Sequence, residues 1–539
     1  MNNFRIYVFT PLLVFAALGL GYMMGNFSME KTVVSNEAKE TADKVSSIID
    51  FIEENYVDTV DVQDLTDRSI HDILQNLDPH SSYIPASRLK EVNESMRGNF
   101  GGVGIRFLIH NDTLVATHVL PHSPAEMAGL KPGDRIIEVD EVDLSTIELT
   151  NEYVLENLKG LQGTDVQLKV VRDGEEFETK VTRGTIPISS IDCGIMLSDQ
   201  VGFIKLSEFS ASSYYDFKSA IRDLRRKGMR KLIFDIRGNG GGYLGVATEI
   251  IDEFLESDKM IVYTEGRKSP KKSYYSSAKG ELKDIELVIL IDSYSASASE
   301  IVSGACQDND RGTIMGRRTF GKGLVQDQIE LKDGSAMRLT IARYYTPTGR
   351  SIQRPYGDSI KYHEDALKRY ENGEFYHPDS SIYKNAPKFE TPGGKIVYGG
   401  GGITPDIFLP FDSTNRSVFI TDLRIASAFN HWAFDYMDKN RGKWKSFEEF
   451  DRGFQVTEEV YNQFIQYAIN KLGVEKDNYG IQHSKRLIKM YLKAEVARHL
   501  FTENEFYFIM EREDADVKRA QDYLEKGQVE VLGKVFRKE

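Results

Sequence analysis

Cysteine is nearly missing from this chain: Cys193 and Cys306 are the 2 among 539 residues. Two cysteines make no disulfide framework, and neither has the neighbours of a metal site. Cys306 falls in an apolar helical run and reads as a buried side chain. Positive charge is also short, with 68 Lys and Arg against 82 Asp and Glu and a net charge of -14. No basic stripe dominates any segment, which argues against nucleic acid as a partner. The cluster Arg222, Arg225, Arg226, Lys227, Arg230 and Lys231 reads as a solvated helix face. Internal repeats and low-complexity tails are absent, which leaves an ordinary globular composition. At this length one core cannot serve the whole chain, so three or four domains are expected.

What the chain does have begins with an apolar run. After Arg5, residues Ile6 to Met24 are interrupted only by Thr10, Pro11 and glycines. About 20 apolar residues suffice to span a bilayer, and no clear small-x-small cleavage site follows. The segment holds no cysteine, which excludes a lipoprotein anchor. We expect 1–30 to be a signal-anchor, with residues 6–25 in the membrane and the rest exported to the periplasmic face of a bacterial inner membrane. A cleaved signal peptide and a free periplasmic protein form the second reading.

The expected fold class is multidomain α/β. Residues 31–97 read as helices, with Val45, Ile48, Ile49, Ile52 and then Leu65, Ile70, Ile73, Leu74, Leu77 at helical spacing. Pro79 in Leu77-Asp78-Pro79-His80 stops the second of them. Residues 98–185 switch to short alternating runs, strands at 103–109, 113–119, 135–139, 166–171 and 177–181 with helices at 125–128 and 151–158. From 186 to 348 strands alternate with helices, the strands at 201–206, 231–236, 287–291 and 337–342, within a core domain expected over 186–410. Several of these are continuous apolar runs, which fit a sheet covered on both faces. The stretch 350–398 is a long excursion rich in Tyr, Lys, Ser, Pro and Gly. Residues 411–539 read as helical, with Leu487, Ile488, Tyr491, Leu492, Val496 and Leu500 on one stripe.

Four constellations carry chemistry. Gly101-Gly102-Val103-Gly104-Ile105 before the first strand of the β-rich module can aim several backbone N–H groups at a carboxylate. A peptide terminus held there would add itself to the sheet edge. No βαβ unit with a following acidic residue surrounds these glycines, so a dinucleotide site is disfavoured. Asp235-Ile236-Arg237-Gly238-Asn239-Gly240-Gly241-Gly242 ends an apolar strand in a glycine-rich turn, suited to a phosphate or to the oxyanion of a tetrahedral intermediate. Ser293, Ser295, Ser297 and Ser299 run into a helix start, and chemistry alone does not choose among them. Lys322 stands between Gly321 and Gly323. The stretch 316–323 is one residue short of a P-loop, with glycine where a magnesium-binding hydroxyl is required. A lysine normally titrates near ~10.4, but burial that favours its neutral form would let it deprotonate a serine.

Ser123 to Ile137 resembles the corresponding stretch of PDZ domains. Taken together, Leu77 to Ser81, the PDZ module, Asp235 to Gly242, Ser295 to Glu300, Gly321 to Gln326 and Gly402 to Asp406 resemble the carboxyl-terminal processing proteases, also called tail-specific proteases, over about 40–410. The resemblance implies a PDZ domain, an α/β protease core and no cofactor. Ser297 would be the nucleophile, Lys322 its base and Gln326 the partner of the lysine. Ala298 and either Gly241 or Gly242 would supply the oxyanion N–H groups, with Asp235, Arg237 and Glu300 in support. Gly102, Val103, Gly104 and Ile105 would receive the C-terminus of a protein or peptide substrate. The helices beyond 410 lie outside the resemblance and suit oligomerisation or docking of a partner protein. A Ser-His arrangement and a non-catalytic PDZ adaptor are the rival readings.

Overall fold

The computed structural model describes residues 36–357, 362, 364–379, 383–440 and 442–538. The expected membrane segment at 6–25 lies outside them. Among the described residues no helix is long and apolar enough to cross a membrane. The chain divides into two units, Met1–Ile73 and Leu74–Glu539. The first contributes the helix Asn36–Asn55 and most of Val62–Gln75. Its Val45, Ile48 and Phe51 are exposed, Phe51 by 67%.

The second unit holds everything else. After the helix stop at Pro79 comes a short strand, Ser82–Ile84, in a region read from sequence as wholly helical. Three residues of strand carry too little alternation to see in advance, and this one is fixed by antiparallel pairing of Ser82, Tyr83 and Ile84 with Arg338, Met337 and Ala336 of the distant strand Ala336–Tyr345. The β-rich module follows as expected. Ile105–His110 is its edge strand, paired with Thr113–Val119, and Arg135–Val139, Asp165–Arg172 and Glu175–Thr182 continue the sheet. Alternate residues Val166, Leu168, Val170 and Val181 are buried against Leu114, Ile136 and Val154.

The α/β core is built on a six-stranded sheet in the order Ile191–Met196, Val201–Leu206, Lys231–Asp235, Glu286–Ile291, Thr313–Gly316 and Ile407–Phe408. All neighbours are parallel except the first pair. Both faces are covered, which explains the unbroken apolar strands. Helices Ser213–Arg226, Leu244–Asp252 and Ala298–Asp308 bury one face through Phe217, Ile250 and Val302. The last helix, Ala515–Lys526, buries the other through Val517, Ala520 and Leu524 against Phe203, Ile233 and Leu290. The expected strand at 337–342 belongs elsewhere. It lies in an antiparallel sheet with Ser82–Ile84, Met260–Glu265, Lys272–Tyr275 and Leu324–Glu330, whose partly exposed residues hid most of it from pattern reading.

The excursion at 350–398 is not structureless: it holds the helix Asp365–Glu371 and the hairpin Lys388–Glu390 with Ile396–Tyr398. Beyond 410 the helices pack around Phe419, Phe429, Trp432, Phe450 and Phe464. The end of the chain departs from the helical expectation, because Gln528–Val531 and Lys534–Arg537 form a hairpin. Leu108 and Val115 of the β-rich module pack on Phe434 and Met437 of these helices. Asp435 and Asp438 reach His110 and Arg135 across the same contact.

Candidate active site

The helix Ala298–Asp308 starts where the central strand Glu286–Ile291 ends, and Ser297 is its N-cap. Its backbone sits at φ 55° and ψ −112°, outside the regions an L-residue prefers. Such strain persists only where the surroundings hold it. The structure distinguishes the four serines. Ser295 and Ser299 are buried, donating their hydroxyls to the carbonyls of Ile236 and Asn239 at 2.8 and 2.9 Å. Ser293 lies outside the cleft, whereas Ser297 lines a cavity of about 940 Å³ together with Lys322 and Gln326.

Glu300, fully buried in the first turn of that helix, ties serine and lysine together. Its carboxylate accepts from the backbone N–H of Ser297 at 3.0 Å and of Lys322 at 2.8 Å through one oxygen. Through the other it accepts from Gly321 N–H at 2.8 Å and the Thr319 hydroxyl at 2.5 Å. Burial pushes this carboxyl up to about 7, against those hydrogen bonds, which favour the ionised form. Tyr344 makes a second tie, its buried hydroxyl meeting the carbonyl of Ser297 at 3.0 Å and that of Lys322.

The lysine side chain is held just as closely. Lys322 Nζ donates to Gln326 Oε1 at 2.9 Å, and Gln326 Nε2 donates to the carbonyl of His80. That second bond fixes which end of the amide faces the lysine. His80 is itself fixed by Asp78, whose carboxylate accepts from the N–H groups of His80 and Ser81 at 2.8 Å each and from the Ser81 hydroxyl at 2.7 Å. Desolvation lowers the affinity of the Lys322 amine for its proton, and the Arg338 charge lowers it further, while Asp78 and Glu300 act in the opposite direction. Among the described residues no histidine lines this cleft; the His80 ring turns instead to the Tyr362 hydroxyl, 2.6 Å away.

The glycine turn passes beside the serine. A Cβ on Gly241, at φ 107°, would lie 2.7 Å from Ser297 Cβ, and one on Gly242, at φ 144°, would lie 2.2 Å from the Phe209 carbonyl oxygen. Only glycine fits either place. Asn239, fully buried, organises the turn: its side chain donates to Leu206 O at 2.9 Å and accepts from Gly241 N–H at 2.8 Å. Its carbonyl accepts from Ala296 N–H at 3.0 Å. Gly241 N–H is therefore occupied. Gly242 N–H and Ala298 N–H, the latter an orphan donor of the helix start, have no protein partner among the described residues. Asn239, Tyr344 and Thr319 were missed from sequence. Asn239 lay inside the glycine motif and was a readable signal; nothing local marks the other two.

Asp235 and Arg237 do not line the cleft. They pair behind the glycine turn, with Arg237 donating to Asp235 at 2.7 to 3.1 Å and also reaching Glu511, Asp514 and Asp516 of the C-terminal helices. In the β-rich module Gly102, Val103 and Gly104 are buried before the edge strand that starts at Ile105. The carbonyls of Val103 and Gly104 accept from Ala125 and Leu120 at 2.8 and 3.0 Å. Their N–H groups take no partner among the described residues.

A hydroxyl on a strained helix cap, a desolvated amine and two free N–H groups around one cleft define the site of a serine-type peptidase. Residues 200–362 match the model of Peptidase family S41, 101–182 that of the PDZ domain and 419–502 that of a family of unknown function. A carboxy-terminal-processing protease of Bartonella bacilliformis is 34% identical over 63% of this chain and 80% of its own length. The carboxy-terminal processing protease CtpB of Bacillus subtilis is 32% identical over 59% of this chain and 67% of its own. A solved photosystem II D1 C-terminal processing protease is 23% identical, covers 67% of this chain and 86% of its own, and superposes with a TM-score of 0.33. The chain belongs to the carboxy-terminal processing proteases, serine-type peptidases that carry a PDZ domain.

Proposed function

We propose that the protein is an endopeptidase with a Ser297–Lys322 dyad that cleaves exported proteins near their C-termini, the tail being received by the PDZ module. The observation that carries this reading is the Glu300 carboxylate, which accepts from the backbones of both members of the dyad and of no other serine. Neutral Lys322 takes the Ser297 proton as Oγ adds to the scissile carbonyl carbon. Negative charge then developing on the carbonyl oxygen receives hydrogen bonds from Ala298 N–H and Gly242 N–H. We assign Gly242 to this role, since Gly241 donates to Asn239. The lysine ammonium returns its proton to the leaving amine, and water hydrolyses the acyl-enzyme on Ser297. Gln326 holds the amine towards the serine, and Arg237, Asp235 and Glu300 act through the loops they anchor.

The PDZ part of the reading is supported by the edge position of Ile105–His110 and by the unpartnered N–H groups of Val103 and Gly104, which suit a carboxylate beside an added strand. Export rests on the apolar run from Ile6 to Met24. The test compares an unfolded protein bearing a free C-terminal carboxylate with its C-terminally amidated form. Wild type should cleave the first faster and the second poorly, and Ser297→Ala should bind the first more tightly than the second and cleave neither. Equal cleavage of both forms would remove tail recognition, and cleavage by Ser297→Ala would remove the nucleophile. Protection of the folded chain from protease in intact cells, lost on opening the outer membrane, would test export.

A further inference from the structure

The glycine turn and the lysine loop each begin with an arginine. Arg237 follows the strand Lys231–Asp235 and precedes Gly238, and Arg317 follows Thr313–Gly316 and leads to Lys322. Both side chains are 10% exposed, and both reach one carboxylate, that of Asp516, at 3.3 and 2.8 Å. Arg237 also pairs with Asp514 at 3.1 Å and Glu511 at 3.4 Å. Lys205, on the neighbouring strand, joins Asp235 at 3.1 Å and Glu511 at 3.3 Å. Arg519 stands 3.7 Å from Asp516 and completes a set of four carboxylates and four cations. Asp514 is fixed in turn as the cap of the last helix, accepting from the N–H groups of Asp516 and Val517 at 2.9 Å.

We infer that Asp516, supported by Asp514 and Glu511, is a positioning residue for both catalytic loops, so that the end of the chain is a working part of the active site. The inference rests on the Ser297–Lys322 reading. Arginine keeps its charge even when buried. Among the described residues Arg317 pairs with no carboxylate but Asp516, so removing that carboxylate leaves an uncompensated charge in a dry place, relieved only by moving towards water. Arg237 keeps Asp235 and loses the partner that ties it to the Arg317 loop. Here a moving guanidinium carries the root of a catalytic loop with it. Mere attachment of the last helix does not require these acids, because Val517, Ala520 and Leu524 already bury it against the sheet. The acids converge instead on the two places where the core strands give way to catalytic loops.

The test measures kcat and KM of the full chain on an unfolded protein, together with the affinity of a tail peptide. Asp516→Asn should lower kcat about 100-fold, the cost of misplacing reacting groups by about 1 Å. KM and tail affinity should stay within about twofold, and Asp516→Glu should recover part of the loss. Asp514, 31% exposed and bound to Arg237 alone among the cations, gives the milder variant Asp514→Asn, which should lower kcat in the same direction if Asp516→Asn does not fold. Wild type and Ser297→Ala run alongside, so an active wild type silenced by Ser297→Ala secures the dyad independently. Against that background, kcat of Asp514→Asn and Asp516→Asn within about twofold of wild type would overturn the inference. So would a loss in which tail affinity and melting temperature fall together and Asp516→Glu recovers nothing.

Discussion

The protease core and the helices beyond 410 are both well buried, yet they are stabilised in different ways. Around the dyad the buried groups are polar: Glu300, Asn239, Ser295, Ser299 and Thr319 are all fully inside and all hydrogen-bonded. In the C-terminal helices the interior is aromatic, Phe419, Phe429, Trp432, Phe450 and Phe464 packing on one another. A polar interior specifies one geometry, because each lost partner leaves a desolvated group behind. An aromatic interior supplies stability through area and tolerates small shifts. The dyad is built in the first kind of interior, and substitutions should divide accordingly between rate and melting.

The largest effect should come from the dyad itself. Ser297→Ala and Lys322→Ala should each lower turnover at least about a thousandfold, with an unchanged circular dichroism spectrum; near-normal turnover in Lys322→Ala would dissolve the dyad. Next comes Glu300→Gln. An amide nitrogen would face the Ser297 and Lys322 N–H groups or the Gly321 and Thr319 donors, so one pair of donors loses its acceptor. We expect a kcat loss of about 100-fold and about 2–4 kcal/mol of lost stability, read by kinetics and urea unfolding. Glu300 also gives the wild type a pH-dependent term of known sign. Its carboxyl is raised from 4.5 to about 7 in the fold, so the unfolded chain ionises first. The contribution is complete below 4.5, declines as pH rises and is lost through 7, a trend that Glu300→Gln should remove from the urea midpoint.

Tyr344→Phe removes one hydroxyl shared by two carbonyls and should lower kcat about tenfold, with about 1 kcal/mol of stability. The smallest effect on rate belongs to the other kind of interior. Phe464→Ala should cost about 3–5 kcal/mol of stability, seen in thermal unfolding, while kcat below the melting transition stays within about threefold of wild type. A tenfold rate loss there would erase the distinction between the two interiors.

The same contrast governs what could be read in advance. The strands at 201–206 and 113–119 and the helix at 151–158 were visible because burial on both faces or on alternate residues writes itself into the sequence. Ser297, Lys322 and Glu300 were visible through resemblance, which alone chose among the four serines; the burial of Ser295 and Ser299 supplies the physical reason that chemistry in the sequence did not. Leu77 to Ser81 was legible as a helix stop, but its orientation of Gln326 through the His80 carbonyl depends on a contact 246 residues away. Tyr344 and the Asp516 cluster left no local trace, since a hydroxyl or a carboxylate acquires such a role only from what folding brings against it. The strand Leu324–Glu330 escaped because its residues are largely part-exposed and polar.

The central claim is that Lys322 serves Ser297 as a neutral amine. Its ammonium is disfavoured by burial and by Arg338, so the reactive form should appear as pH rises through a value below that of an ordinary lysine. The direct measurement is the rate at which a serine-directed phosphonate modifies Ser297 as a function of pH. A neutral Lys322 base should give a single rise to a plateau with its midpoint clearly below the ordinary lysine value of 10.5, and no such rise in Lys322→Ala. A midpoint at or above 10.5, or the same profile in Lys322→Ala, would contradict it.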